Sequence, residues 1–241
     1  MADRSPILIL TRPEGAAGKF AEQVHRELGQ PVDTILSPLI RIEPCEMSMP
    51  RGRIGGLILT SANAVPALRG AGLAKGMVAW CVGSRTARAA REAGLDAQDA
   101  GGDAEALIAL ILERQPYGPL IHVKGEFSRG DVADRLSKAG IPCDERVVYR
   151  QIAQPPVEEA RKALMGKRPV VLPLFSPRTA AILCRNGPYR APLHAIAMSA
   201  AVAAELDTAN MAGLTTVGRP DGPSMLTETV GTLRRLSPRA A

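Results

Sequence analysis

Short apolar segments alternate with helical patterns from one end of the chain to the other. The first apolar segment is Ile7 to Leu10, and a helical pattern over Glu14 to Leu28 follows it and ends at Gly29, a typical C-cap residue. Such alternation is typical of α/β proteins, in which helices connect the strands of parallel sheets. The sequence contains about ten such strands, which favours two small doubly wound sheets over one large sheet.

An internal repeat divides the chain, with an offset of about 110 to 115 residues. The order of the repeated segments predicts that the chain starts one unit, builds a second and returns to finish the first, with a cleft between the two. Three pairs of segments carry the repeat: Leu59 to Ala62 with Leu174 to Pro177, Cys81 to Ala87 with Ile196 to Ala201, and the segment from Ile7 with the segment from Leu120.

Composition and charge exclude several classes of protein. Hydrophobic residues make up 46% and charged residues 22% of the chain, as in ordinary globular proteins. The net charge of +6 suits an anionic partner, but no dense basic run indicates nucleic-acid binding. No signal-peptide layout occurs at the start, and the longest uncharged apolar stretch is too short to cross a bilayer. We therefore expect a soluble cytoplasmic protein that binds neither nucleic acid nor membrane.

Polar residues follow the predicted strands where helices begin. Ligands of open α/β sheets bind beyond the carboxyl ends of the strands, and helix N-termini attract anions. Together with basic side chains these turns would suit a ligand with many carboxylates or phosphates. Helix capping alone also explains each Ser or Thr, and both interpretations stay open. The turns are Thr11-Arg12, Thr60-Ser61, Gly83-Ser84-Arg85-Thr86, Lys124-Gly125, Ser176-Pro177 and Met198-Ser199.

Strong catalytic signals are scarce. The four cysteines lie far apart without a C-x-x-C pair, which argues against a disulfide framework or a zinc site. His25, His122 and His194 stand singly, and we interpret each as structural because no Cys, Asp or Glu has ligand or triad spacing. No P-loop, G-x-G-x-x-G or G-x-S-x-G pattern occurs. Tyr149 ends a predicted strand, and the pattern leaves an interface role and a functional role equally open.

Six motifs, in this order, resemble the uroporphyrinogen-III synthase family of tetrapyrrole biosynthesis. Each motif has low specificity, so the ordered set spanning nearly the whole chain carries the resemblance. The motifs are I-L-I-L-T-R-P (Ile7 to Pro13), L-I-L-T-S-A-N-A-V (Leu57 to Val65), C-V-G-S-R-T-A (Cys81 to Ala87), G-D-A-E-A-L (Gly102 to Leu107), G-I-P-C-D-E-R-V-V-Y-R (Gly140 to Arg150) and L-F-S-P-R-T-A (Leu174 to Ala180).

The resemblance implies a two-domain α/β fold with two doubly wound parallel sheets of flavodoxin-like order, joined by a two-strand connector. We expect one discontinuous domain over residues 1–38 and 154–241, an inserted domain over 54–146, and connectors over 39–53 and 147–153. The resemblance also implies an enzyme without a cofactor or metal that closes linear hydroxymethylbilane and inverts its ring D. A monomer is expected, and a transient contact with hydroxymethylbilane synthase is left open.

The resemblance further implies a site. Tyr149 aligns with the tyrosine that the family is thought to use as general acid. The substrate-binding candidates are Arg12, Ser61, Asn63, Gly83, Ser84, Arg85, Thr86, Lys124, Ser176 and Ser199. The sequence departs from the family in its last matching turn, where A-I-A-M-S-A (Ala195 to Ala200) replaces a G-x-T-T-A-like pattern. A non-catalytic two-domain protein that binds a small anion is the alternative hypothesis.

Overall fold

The computed structural model describes residues 5–46, 50, 52–69, 71–73, 75–127, 130–207, 209 and 211–237. Within them the strands are β1 Ile7–Leu10, β2 Thr34–Leu36, β3 Ile40–Pro44, β4 Gly56–Leu59, β5 Val78–Cys81, β6 Asp96–Asp99, β7 Leu120–Gly125, β8 Cys143–Ala153, β9 Val170–Leu174, β10 Leu193–Ala197 and β11 Met211–Thr216. The α-helices are α1 Glu14–Leu28, α2 Ser84–Glu92, α3 Ala104–Arg114, α4 Val132–Lys138, α5 Glu158–Leu164, α6 Pro177–Arg185, α7 Ala200–Ala203 and α8 Gly222–Leu236, and a 3₁₀ helix covers Ala62–Leu68.

The chain divides into two units. Unit 1 contains Met1–Arg41 and Ala153–Ala241, and unit 2 contains Ile42–Ile152. The strands β3 and β8 both cross the division and are neighbours in one sheet. Cys45 N–H donates to Val148 O, and Gln154 N–H donates to Leu39 O. Earlier residues of one strand therefore pair with later residues of the other, so the two strands are antiparallel. Residues 47–49 and 51 of the predicted first connector lie outside the described residues.

Each unit contains a parallel sheet, which confirms the predicted α/β fold class. The sheet of unit 1 has the order β11-β10-β9-β1-β2, and all four neighbouring pairs in it are parallel. Numbered within its own unit this is 2-1-3-4-5, the flavodoxin-like order. The sheet of unit 2 has the order β3-β8-β7-β4-β5-β6. Its five parallel strands read 3-2-1-4-5, so the flavodoxin-like order predicted for both sheets holds for unit 1 alone.

The two sheets have the same strand order when the strands of unit 1 are numbered from β9 instead of from β1. Then β9, β10 and β11 correspond to β4, β5 and β6, while β1 and β2 correspond to β7 and β8. The sequence repeat pairs the same strands, since Leu174 in β9 matches Leu59 in β4 and Ile7 in β1 matches Leu120 in β7. The repeat therefore describes one architecture built twice, with the chain entering it at different strands.

Some elements differ from the sequence prediction. Strand β6 was not predicted, because only Ala97 of its four residues is buried and the others are polar and exposed. The segment from Ala62 was predicted as a helix and forms a 3₁₀ helix with Pro66 inside it. The strand predicted to end at Tyr149 continues to Ala153, so Tyr149 lies within β8 rather than at its end.

Apolar side chains cover both faces of the sheet in unit 2. Leu59 and Val123 belong to the cluster on the side of the 3₁₀ helix and α2, whereas Ile58 and Leu120 pack with α3 and α4 on the other side. In unit 1, Leu8 of β1 packs among residues of α1 and α8. Because both faces are covered, the strand ends and the loops after them are where polar groups collect.

Candidate active site: two strand-end switch points

Each parallel sheet has one place where the chain path reverses direction. In unit 1 the connection from β1 leads to β2 on one side, and the connection from β9 leads to β10 on the other, so the reversal lies between β1 and β9. In unit 2 the same argument places it between β4 and β7. Open α/β sheets bind ligands at such reversals, beyond the carboxyl ends of the strands. We call the two places the first and the second switch point.

The first switch point holds a cation on an aromatic ring. Arg12 follows β1, and its guanidinium carbon lies 4.0 Å from the centroid of the Phe175 ring, which follows β9. Phe175 in turn meets Phe20 of α1 edge to face, with 5.2 Å between the ring centroids. A guanidinium over an aromatic face gains about 0.5 to 2 kcal/mol. The stack therefore fixes a positive charge beside Ser176.

Three of the predicted serines cap the helices that follow their strands. Ser176 Oγ accepts from Thr179 N–H at 3.1 Å and lies 2.7 Å from Thr179 Oγ1. Ser61 Oγ accepts from Asn63 N–H at 3.2 Å, so Asn63 is oriented by this cap, and Ser199 Oγ accepts from Val202 N–H at 3.4 Å. Helix capping is thus one role of each serine. A hydroxyl that accepts a capping bond retains its O–H, which can donate to a carboxylate.

The predicted segment Gly83 to Thr86 begins α2 in unit 2. Gly83 is its N-cap and provides no side-chain capping bond. Ser84 and Arg85 are not buried, whereas Thr86 is 5% exposed and belongs to the buried side of the helix. The side chains of Ser84 and Arg85 are therefore accessible to a ligand, whereas the Thr86 side chain is largely buried.

The second switch point holds a chain of polar contacts across three strands. His122 of β7 is 1% exposed, and its Nε2 lies 3.1 Å from Thr60 Oγ1 at the end of β4. Its Nδ1 lies 3.4 Å from Glu145 Oε1 on β8, without hydrogen-bond geometry. Glu145 Oε2 accepts from Lys124 Nζ at 2.7 Å. Lys124, predicted to bind the ligand, therefore already has a carboxylate partner.

Burial sets the protonation of this chain. Burial lowers the pKa of His122 to about 4, although the Glu145 carboxylate acts in the opposite direction. Partial burial raises the pKa of Glu145, but the hydrogen bond and charge of Lys124 outweigh it and hold that pKa below its usual value. At neutral pH the histidine is neutral and the glutamate is ionised, so the Lys124–Glu145 pair carries opposite charges.

Tyr149 is packed against the end of β7. Its side chain is 4% exposed and lies in the apolar cluster with Leu59 and Val123. It is paired with Gly125 across the two strands, where the register shifts by one residue. A Cβ on Gly125 would overlap the ring carbons of Tyr149 and would lie 2.8 Å from its hydroxyl oxygen. Only glycine allows the phenol to lie here, at the second switch point.

The polar chain was missed by sequence analysis. His122 was interpreted as a single structural histidine because no acidic residue lay at triad spacing along the chain. Its partner Glu145 lies opposite it on the neighbouring parallel strand, in the register His122 to Glu145. The signal was a histidine, a lysine and a glutamate in two consecutive strands, but only the register brings them together. Among the described residues no group of three His, Cys, Asp or Glu side chains could hold a metal ion.

Comparison with known proteins places the chain in a family. The sequence model described as "Uroporphyrinogen-III synthase HemD" matches residues 19–227. The chain belongs to the uroporphyrinogen-III synthase family. This confirms the resemblance seen in the motifs, and it makes the chain a cyclising lyase of porphyrin and haem biosynthesis. Nothing in the comparisons favours the alternative of a non-catalytic anion-binding protein.

A solved structure agrees with the fold. The uroporphyrinogen-III synthetase of Helicobacter pylori 26695 is 14% identical, with a TM-score of 0.67 over 95% of this chain and 99% of that chain. A mutant uroporphyrinogen III synthase of the extremely thermophilic bacterium Thermus thermophilus is 16% identical, with a TM-score of 0.46 over 96% of this chain and 98% of that chain. No curated protein sequence matches the chain significantly. Within the described residues, no helix is both long enough and apolar enough to span a bilayer.

Proposed function

We propose that the chain closes hydroxymethylbilane to uroporphyrinogen III with groups that follow the carboxyl ends of its strands. The observation that carries the proposal is the family match over residues 19–227. The polar side chains at the two strand-end reversals support it, because these are the places where open α/β sheets bind ligands. A substrate with eight acetate and propionate carboxylates requires many hydrogen-bond donors, and each switch point supplies some.

The reaction needs little chemistry from the protein. The C–O bond of the ring A hydroxymethyl group breaks, and the hydroxyl leaves as water once it has received a proton. The substituted carbon of ring D attacks the azafulvene that results and forms a spiro intermediate. That intermediate fragments and closes again with ring D turned, and loss of a proton restores the pyrrole. Since the electron-rich pyrroles drive these steps, the main task of the protein is to hold the geometry.

Tyr149 is our candidate for the general acid that protonates the departing hydroxyl. A phenol carries its proton at neutral pH and can donate it without a charged partner. Its ring is packed against Gly125 and apolar side chains, so its position is restricted. With 4% of its surface exposed, Tyr149 offers only a small part of its surface to a substrate. A positioned general acid contributes about 10²- to 10⁴-fold in rate.

We further propose that the substrate carboxylates bind the capped helix starts and the nearby cations. Arg12 is the cation best placed for this role, because Phe175 holds it at the first switch point. Lys124 shares its charge with Glu145, so we expect it to contribute less. The remaining candidates act through hydroxyl, amide or backbone N–H groups, or through an exposed guanidinium: Ser61, Asn63, Gly83, Ser84, Arg85, Thr86, Ser176 and Ser199.

The product isomer tests the proposal. The purified chain is mixed with freshly prepared hydroxymethylbilane, and the oxidised porphyrins are separated by isomer. We expect the type III isomer. The type I isomer alone, which forms spontaneously, would contradict the proposal. If the chain binds the substrate without accelerating its closure, the anion-binding alternative replaces the enzyme.

The setting of the enzyme is part of the proposal. We expect a monomer that works in the cytoplasm and receives its unstable substrate from hydroxymethylbilane synthase by a transient contact. Light scattering of the full chain would test the monomer, and a dimer mass would contradict it. Crosslinking of the two enzymes during turnover would test the contact, with bovine serum albumin as the control protein.

A further inference from the structure

Thr60 has a fixed hydrogen-bonding role that the proposed site did not include. The tautomer of His122 decides this role. The ring is neutral at neutral pH and therefore has one N–H and one unprotonated nitrogen. The Glu145 carboxylate can only accept, and it lies 3.4 Å from Nδ1. The proton is accordingly assigned to Nδ1, which leaves Nε2 as an acceptor.

The hydroxyl of Thr60 has to donate to that acceptor. Thr60 Oγ1 and His122 Nε2 are 3.1 Å apart, and Nε2 has no proton to give. The single O–H of Thr60 is thereby used, and its oxygen offers lone pairs only. The next residue, Ser61, has the opposite character, because its oxygen accepts from Asn63 N–H and its O–H remains for a ligand. One strand end thus presents an acceptor beside a donor.

This pair of groups matches a pyrrole that carries acidic side chains. The ring N–H of a pyrrole can only donate, and a carboxylate can only accept. Thr60 is half-buried at the end of β4, directly at the second switch point, so its lone pairs lie where a ligand is expected. A carboxylate alone would gain nothing from Thr60. The acceptor therefore suits a neutral donor such as the ring N–H of a pyrrole.

We propose that Thr60 accepts a hydrogen bond from a pyrrole N–H of the tetrapyrrole, and that His122 is a positioning residue that fixes Thr60 in this role. The inference rests on the proposed function and adds a contact to the pyrrole ring itself. Glu145 completes the arrangement because its negative charge, 3.4 Å from Nδ1, favours the tautomer that has its proton on Nδ1. Lys124 keeps Glu145 ionised through their 2.7 Å bond.

Kinetic measurements on Thr60→Val test the contact, because valine keeps the shape and loses the hydroxyl. We expect KM to rise about 3- to 10-fold, since the lost contact is present before and during the reaction. Thr60→Ser should restore KM to within about twofold of the native value. Because a ring N–H is neutral, the rise should be the same at about 50 and 300 mM salt, unlike the loss of a carboxylate contact.

The positioning role of His122 is tested by His122→Leu, alone and together with Thr60→Val. His122→Leu should raise KM by a similar factor in the native background and should have no further effect in Thr60→Val. The matched control is His25→Leu in unit 1, which removes another histidine–threonine contact, His25 Nε2 to Thr34 Oγ1 at 3.0 Å, at the amino end of β2. That control should lower the thermal midpoint and leave KM unchanged.

Three results would overturn the inference. They are an unchanged KM in Thr60→Val, a KM rise that disappears at high salt, and effects of the two variants that multiply. If His122→Leu does not fold, Thr60→Val and Thr60→Ser decide by themselves. Failure of the proposed function is a separate result, because it would appear as the absence of type III product from the native chain.

Discussion

The two switch points use the same position of the repeat for different chemistry. Phe175 in unit 1 and Thr60 in unit 2 correspond to each other, and each precedes a serine that caps the next helix. Phe175 faces Arg12 at 4.0 Å, whereas Thr60 faces His122 at 3.1 Å. One unit therefore holds a positive charge on an aromatic ring, and the other begins a chain of hydrogen-bonding groups with a neutral histidine.

This difference suggests a division of tasks between the units. The cation of the first switch point suits the carboxylates at the rim of the substrate. At the second switch point Gly125 is the residue that corresponds to Arg12 in the repeat. Because Gly125 has no side chain, the ring of Tyr149 occupies this position. We propose that unit 1 chiefly binds, and that unit 2 chiefly positions the pyrroles and delivers the proton.

Among the variants that test the difference between the two units, we expect Tyr149→Phe to have the largest effect on the reaction rate. The ring still packs against Gly125, but the proton donor is lost, so kcat for type III product should fall about 10²- to 10⁴-fold. Stopped assays with isomer separation measure this, and circular dichroism with a thermal scan checks that the fold is intact. A turnover number near that of the native chain would return Tyr149 to the role of a packing residue.

Gly125→Ala should misplace the phenol without removing it. The new Cβ would overlap the Tyr149 ring, and a shift of about 1 Å in a reacting group can cost on the order of 10²-fold in rate. Gly18→Ala is the matched control, because a Cβ there meets nothing within 4 Å. The control lies inside α1 and should stabilise the chain by about 0.5 to 1 kcal/mol. Equal kcat in the two variants would contradict the assigned packing.

The buried His122 of unit 2 should make the stability of the protein depend on pH. The folded pKa of His122 is about 4 and the unfolded value is 6.5, so between these values the unfolded chain binds the extra proton. The contribution of the neutral histidine to the free energy of unfolding is therefore present above pH 6.5 and is lost as the pH falls to about 4. The charged groups that act on His122 are Glu145 and Lys124.

His122→Gln removes this titration. The loss of unfolding free energy between neutral pH and about pH 4 should be smaller in the variant than in the native chain, by on the order of 2 to 3 kcal/mol. Urea unfolding at both pH values measures the difference, and the titrating groups that do not interact with His122 cancel in the comparison. Parallel curves for the two proteins would show that His122 is not buried as described.

Arg12→Ala tests the charge at the first switch point. We expect KM to rise about tenfold at low salt, because one charge-assisted contact is lost, with a smaller rise at high salt. Arg12→Lys should recover part of the affinity, since it keeps the charge but loses the planar stack on Phe175. Salt-independent effects of the same size would indicate that Arg12 only packs.

The capping serines give the smallest expected effect. Ser176→Ala should cost about 1 kcal/mol of unfolding free energy, because the N-cap bond to Thr179 of α6 is lost. Ser61→Ala should cost less, because it caps a 3₁₀ helix that Pro66 already restricts. Chemical denaturation measures both. A larger loss of unfolding free energy in Ser61→Ala than in Ser176→Ala would contradict this order.

The sequence was sufficient for the parts of the fold that depend on continuous burial. Strands such as Leu57 to Leu59 and Val170 to Leu174 are apolar throughout because helices cover both faces of the sheet, and the repeat relates them. Polar edge strands leave no such signal. Strand β6 was missed because three of its four residues face solvent.

The candidate site was accessible to sequence analysis only in part. The strand ends mark where ligands of α/β sheets bind, so Arg12, Ser61 and Ser176 could be selected from their positions. The contact of His122 with Glu145 and Thr60 depends on the register and order of three strands, which the sequence does not specify. The packing of Tyr149 on Gly125 depends on a register shift of the same kind.

The proposed contacts place the tetrapyrrole at the strand ends, where polar groups follow the parallel strands. A crystal structure of the full chain with uroporphyrinogen III would show these contacts. We expect a substrate carboxylate on Arg12 or on the Ser176 cap, and a pyrrole N–H on Thr60. A ligand bound away from all of these residues would overturn the proposal.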